Sequence, residues 1–333
     1  MRQSHRSILI FLCGALIGTA GFFVYNTILA AKAAAVRPVT NAIREKDAKY
    51  SFINPLLLCS VAEIKPSDGY KQLENIISTI RNKKITDHEI TNASIYFRNL
   101  NTGRWTGVNE NENYSPASLL KVPTMIAFLK LAETDTKLLD KKVLLSGNFN
   151  ENAAENFRST HELLPNRQYA VLELINAMII ASDNNARRML HENIDANWIK
   201  EVYTDLGLSI PTAENSVDFM SAKKYSYFFR VLYNGSYLTR EFSDHALQIL
   251  SKTDYFNGIV AGLPQSITVA HKFGEREIVN DDSSHGFKEL HDCGIVYTAN
   301  PYLLCIMTKG SNYGDLANTI KEISAAVYSE VAK

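Results

Sequence analysis

Strand-like segments at both ends of the folded region, with a long helical stretch between them, limit the architecture of this chain more than any other feature. A-S-I-Y-F-R-N-L (93–100) and R-W-T-G-V (104–108), separated by N-T-G, read as a hairpin. Far downstream, I-T-V-A-H-K-F (267–273), C-G-I-V-Y-T (293–298) and Y-L-L-C-I-M-T-K (302–309) are further apolar, β-branched runs. Leu73, Ile76, Ile77 and Ile80 recur at i, i+3, i+4 and i+7, which predicts a helix over Tyr70 to Asn82. A second terminal helix is expected from Asp315, as N-cap, to about Ala332. The expected fold is therefore α/β of the α+β type: one antiparallel sheet of about five strands built from both ends, helices packed on it, and a large all-helical insert from Ser118 to about Ser251.

The amino-terminal end obeys a different rule. The basic M-R-Q-S-H-R-S is followed by Ile8 to Tyr25, an almost purely apolar run, and then by small residues including Ala31-Lys32-Ala33. A cleavable signal and a membrane anchor both fit; the run is longer than an ordinary signal core, which favours an uncleaved anchor over residues 1–31. Basic residues ahead of the span put the amino terminus in the cytoplasm and the rest outside, so the location is extracytoplasmic, on the cytoplasmic membrane. Residues 32–66 are expected as a linker that leads into a packed segment, I-N-P-L-L-L-C, and residues 67–333 as the working domain.

With a formal net charge of zero, nothing in the composition provides the basic field that nucleic acid would need. The expected partner is a small molecule or a peptide, and the domain is expected as a monomer. Beyond the apolar run lie Cys59, Cys293 and Cys305. If Ala299-Asn300 is a two-residue turn, Cys293 falls opposite Ile306 and the two thiols project to opposite faces; a turn one residue longer returns them to one face, still not directly opposite. Free, buried thiols are expected. No Cys/His cluster has metal-ligand spacing, His271 and His285 read as surface or satisfied histidines, and neither metal nor cofactor is expected.

Chemistry enters at Y-S-P-A-S-L-L-K (114–121), which opens an apolar helix. Ser118 and Lys121, at i and i+3, share a face, where the amine reaches the hydroxyl as base to nucleophile. Backbone N–H groups at a helix head suit an oxyanion developing beside that serine. Ser115, with Pro116 at N1, is the better candidate for the helix cap. A second element, Ser182-Asp183-Asn184, follows the apolar A-V-L-E-L-I-N-A-M-I-I-A where the chain must turn before a helix expected at Ala186. A third, His271-Lys272-Phe273-Gly274, ends the run I-T-V-A.

P-A-S-L-L-K-V-P, A-S-D-N-N-A and K-F-G, in that order, resemble the S-x-x-K, S-D-N and K-[ST]-G elements of class A β-lactamases and penicillin-binding proteins. The resemblance spans about Ser94 to Val331. It implies that Ser118 attacks a carbonyl and is acylated, with Lys121 as proton acceptor or relay. Ser182 would hand a proton to the leaving nitrogen, Asn184 would hold the substrate amide and the lysine, and Asp183 would bond the turn. Lys272 would supply positive charge near Ser182 and toward a substrate carboxylate. The backbone N–H groups of Ser118 and Glu275, beside Gly274, would form the oxyanion hole.

Two departures accompany the resemblance. The family's further glutamate, on a long loop after S-D-N, activates the deacylating water. Here the stretch between Leu206 and Phe219 is short, Glu214 is its only glutamate, and Asn215 follows at once. Phe273 also stands where the family has a hydroxyl, which a phenyl ring cannot replace as a donor; Arg276 is the candidate to compensate. Three functions follow: opening of a β-lactam through an acyl-enzyme, the same chemistry on a cell-wall peptide as a D,D-carboxypeptidase, or a penicillin-binding sensor that does not hydrolyse.

Overall fold

The computed structural model describes residues 43–44, 49–58, 69–147, 150–153, 155–158, 162–210, 217–278 and 286–331. The expected anchor, Cys59, Glu214 and His285 lie outside these. Among the described residues no helix is long and apolar enough to cross a membrane.

Five antiparallel strands form the central sheet: β1 (Asn92–Asn99), β2 (Trp105–Val108), β3 (Thr268–Glu277), β4 (Lys288–Tyr297) and β5 (Tyr302–Gly310), in the spatial order β2-β1-β5-β4-β3. The amino-terminal hairpin joins the carboxy-terminal meander through β1 and β5, so the chain closes its sheet from both ends as the pattern predicts. Alternation along the strands divides the core between the two faces. Ile95, Phe97, Leu290, Val296, Leu304 and Ile306 pack with the helices α1 (Lys71–Thr86) and α8 (Tyr313–Val331). Tyr96, Cys293, Ile295, Leu303, Cys305 and Met307 face the other layer, which holds α2 (Lys121–Ala132), α3 (Val171–Ile180) and α6 (Ala222–Tyr233). With α4 (Asn184–His191), α5 (Ala196–Asp205) and α7 (Arg240–Leu250), this gives eight α-helices among the described residues.

Several local expectations are corrected. α1 runs a turn beyond Asn82, and α8 starts at Tyr313, where the Asn312 side chain accepts the N–H groups of Gly314 and Asp315; Asn312, not Asp315, is the cap. The I-N-P-L-L-L-C segment, by contrast, packs on the domain as expected: Ile53 is buried and Asn54 N–H donates to Tyr233 O, while Tyr297 Oη donates to Phe52 O just before it. The insert is not helical throughout, since Lys142–Leu144 and Gln168–Ala170 form a two-stranded ladder flanking an irregular segment.

Cys293 and Cys305 are not free. Val296 pairs with Tyr302 and Cys293 with Cys305, so the turn is centred on Ala299 and places the two residues directly opposite; they form a disulfide. An odd count of cysteines left one pair possible, and a register one residue away from the expected one brings it together.

Candidate active site

Ser118 lies in a short 3-10 turn, Ala117–Leu120, which runs straight into α2. Ser115 does not cap it: no side chain caps the turn, and Ser115 contributes its carbonyl to His291 Nε2 at 2.9 Å. Because His291 Nδ1 accepts the N–H of Thr308, Nε2 carries the proton, and complete burial holds this ring neutral, its pKa lowered to about 4. Ala117 sits at φ 47°, a left-handed conformation that costs a residue with a Cβ energy and that the packing around the turn must hold. The edge strand β3 is that packing. A Cβ on Gly274 would lie 2.8 Å from Pro116 O and 3.0 Å from Leu119 N, so only glycine lets the strand approach the turn this closely. The contact sets the main chain of Gly274 and Glu275 beside the turn that carries Ser118.

Lys121, on the first turn of α2, is fully buried. Its Nζ lies 2.8 Å from Ser118 Oγ, 2.5 Å from Ser182 O and 3.0 Å from Ser182 Oγ. Ser182 itself has φ 53°, on the turn between α3 and α4, where Asp183 caps α4 by accepting the Ala186 N–H at 2.8 Å. The helix therefore begins at Asn184, not at Ala186. From β3, fully buried Lys272 reaches Ser182 Oγ at 2.9 Å and Phe273 O at 3.0 Å. One hydroxyl, Ser182 Oγ, is thus held between two amines, and one of those amines also holds Ser118.

Two buried ammonium groups this close are costly. Burial, and then the neighbouring Lys272, push Lys121 well below the ordinary lysine value; burial pushes Lys272 down to about 7, against the pull of Asp292 and Glu155. A neutral Lys121 can accept the proton of Ser118, and Ser182 can pass one onward, which is the requirement for a serine nucleophile at neutral pH.

The Phe273 ring lies against the site's lysine, with Lys272 Nζ 4.1 Å from the ring centroid. The ring also stacks on Tyr255 at 4.1 Å and meets Phe157 edge-on, within the far-face core. Arg276 lies on β3 opposite Glu289 of β4, and its charge acts on that buried carboxyl, whose pKa burial and Asp218 raise to about 7. His271 is satisfied by Asp292 at 2.8 Å, the carboxylate also accepting the Ile259 N–H.

Asn184 holds a partner that sequence reasoning missed. Its Nδ2 donates to Glu155 Oε1 and to Glu151 O, while its main-chain N–H is taken by Asn152 Oδ1 at 2.7 Å. No bond from Asn184 to Lys121 forms. The signal for this segment was present in N-F-N-E-N-A-A-E-N-F-R (148–158), a polar, asparagine-rich run without apolar period inside a region read as helical.

The sequence profile of the β-lactamase enzyme family matches residues 72–331. No protein of curated function matches the chain in sequence. Among solved structures, the chain is similar to PBP-A, at 23% identity and a TM-score of 0.63 over 80% of this chain and 97% of that one. It is also similar to the TLA-3 extended-spectrum β-lactamase, at 20% identity and a TM-score of 0.67 over 80% and 100%. A β-lactamase from Sphaerobacter thermophilus follows, at 17% identity and a TM-score of 0.63 over 78% and 97%. At these identities the similarity establishes the fold.

Proposed function

The chain belongs to the β-lactamase enzyme family, and from that premise we propose that it acylates itself on Ser118 with a β-lactam and releases the opened product slowly. The observation that carries this reading is the contact of Lys121 Nζ with both Ser118 Oγ and Ser182 Oγ. In the forward step Ser118 Oγ attacks the lactam carbonyl as Lys121 takes its proton. The oxyanion is met by the N–H groups of Ser118 and Glu275, which the close approach of Gly274 brings together. Ser182, between Lys121 and Lys272, passes a proton to the lactam nitrogen as the C–N bond breaks, and Lys272 draws in the substrate carboxylate. The likeness to PBP-A, a mutant of which is described as an acyl-enzyme complex with penicillin-G, supports the same order of events.

Deacylation is the slow half of the cycle in this reading. The stretch 206–219 holds Glu214 without the spacing of the family's water-activating glutamate. That same feature favours, as second reading, a D,D-carboxypeptidase acting on a cell-wall peptide. The domain works as a monomer in an extracytoplasmic space, tethered by residues 1–31. A chromogenic β-lactam tests the scheme: the expected trace is a burst of one equivalent per chain followed by a slow steady state, and Glu214→Gln leaves the slow phase unchanged. Rapid steady turnover without a burst, lost in Glu214→Gln, would restore an efficient β-lactamase with Glu214 as its base.

A further inference from the structure

Residues 150–153 and 155–158 bond to the Ser182-Asp183-Asn184 turn on one side of the cleft and to the edge strand on the other. On one side Glu155 Oε1 accepts from Asn184 Nδ2, and Asn185 Oδ1 accepts the Glu151 N–H at 2.9 Å. On the other, Glu275 Oε1 accepts the N–H groups of Asn156 and Phe157 at 3.0 and 2.9 Å, and Phe157 is set among Tyr255, Phe273 and Tyr313. Two carboxyl groups therefore face each other beside the nucleophile's partners. Glu275 is only 8% exposed, and its Oε2 is buried with no hydrogen-bond partner. Burial and the adjacent Glu155 push its pKa up to about 8, so at neutral pH this pair retains one proton.

Beside Glu155 lies a cavity of about 30 Å³, whose lining includes Asn152, Glu155, Arg158, Glu162, Ala181 and Ser182. It is large enough for a water or a single ammonium group. Its arginine does not neutralise the acids through these bonds: Arg158 Nε donates to Glu155 O at 3.2 Å and Nη2 to Ala153 O. Lys121 and Lys272 stand beyond Ser182, each engaged with that hydroxyl. The wall next to Asn184 thus carries Glu155, with Glu275 behind it.

We propose that Glu155 and Glu275 select substrates whose acyl group carries a cation, an ammonium group replacing the proton between the two carboxyls. The inference rests on the acyl-enzyme reading, in which Asn184 holds the acyl amide and Glu155 therefore borders the substituent next to it. An ammonium group donates to both carboxyls in place of the proton they share. An anionic substituent meets the charge of Glu155 and is disfavoured relative to the ammonium.

Three penicillins that differ at one carbon of the acyl group test this: ampicillin with an ammonium, benzylpenicillin with hydrogen, and carbenicillin with a carboxylate. The readout is the second-order rate of Ser118 acylation, followed by intact mass at a pH where the ampicillin amine is protonated. The expected order is ampicillin, benzylpenicillin, carbenicillin, with a total spread of about tenfold to a hundredfold. Glu155→Gln collapses the spread, Glu155→Asp retains its direction, and Glu275→Gln, which keeps an acceptor for Asn156 and Phe157, also narrows it. Equal rates in the wild type, or a spread untouched by Glu155→Gln, would overturn the inference while leaving the acyl-enzyme standing. Failure of all three to label Ser118 overturns the acyl-enzyme reading, and this inference with it.

Discussion

Replacing Gly274 by alanine tests whether the approach of β3 to the serine turn is what builds the reactive geometry. The added Cβ would stand 2.8 Å from Pro116 O, 3.0 Å from Leu119 N and 3.2 Å from Leu119 Cγ. Two of these are main-chain atoms of a turn already held at a left-handed Ala117, so they cannot rotate away; strand and turn must separate by several tenths of an ångström. Overpacking of this kind costs about 1–3 kcal/mol, a melting temperature lower by roughly 2–12 °C for a domain of this size. The kinetic effect is the larger one. Moving the Glu275 N–H off an oxyanion should slow acylation by about 10²–10³-fold. Thermal melts and intact-mass time courses with benzylpenicillin, taken on the same preparation, separate the two effects. A Gly274→Ala protein that melts lower yet acylates at the wild-type rate would refute the role assigned to this contact.

Lys121→Ala should fold, because it removes a fully buried amine, but acylate about 10²–10⁴-fold more slowly by the same mass assay; an unchanged rate ends its assignment as base or relay. The pH profile of acylation should be a bell: the rate is lost as pH falls through the depressed pKa of Lys121, which must be neutral to accept a proton, and affinity is lost as pH rises through about 7, where Lys272 gives up its charge. A flat rate profile over pH about 5 to about 9 contradicts this. Non-reducing peptide mapping should find Cys293 joined to Cys305, and the double serine variant should lose about 2–4 kcal/mol in denaturant unfolding; recovery of both as free thiols from the native protein would refute the pairing.

The sheet was legible because its strands carry their own pattern: hydrophobic runs bounded by turn residues at 93–108 and 267–309 leave little choice but one antiparallel sheet closed from both ends. Ser118, Lys121, Ser182 and Lys272 were legible through motif spacing, and the structure brings their polar atoms within 3.0 Å of one another in sequence. Where reading failed, the determinant was not local. The cysteine register depends on whether the β4-β5 turn is centred on Ala299 or one half-step away, and a residue's difference decides between opposed faces and a disulfide. Glu155 carries no motif at all; it acquires meaning only because Asn184 and Glu275, 29 residues and more than a hundred residues away, converge on its segment. Phe273 read only as a missing donor, whereas its ring stacks on Tyr255 and lies under Lys272 Nζ, so it meets the lysine with a π face in place of a hydroxyl.

The central claim is that Ser118 becomes covalently acylated with Lys121 as its proton acceptor. Its most direct test is peptide mapping of the full chain after brief exposure to benzylpenicillin, alongside Ser118→Ala and Ser115→Ala. The account predicts the added mass of one ring-opened penicillin on the peptide containing Ser118, present in wild type and Ser115→Ala and absent from Ser118→Ala. Labelling that persists in Ser118→Ala, or that maps to Ser115 or Ser182, would contradict it.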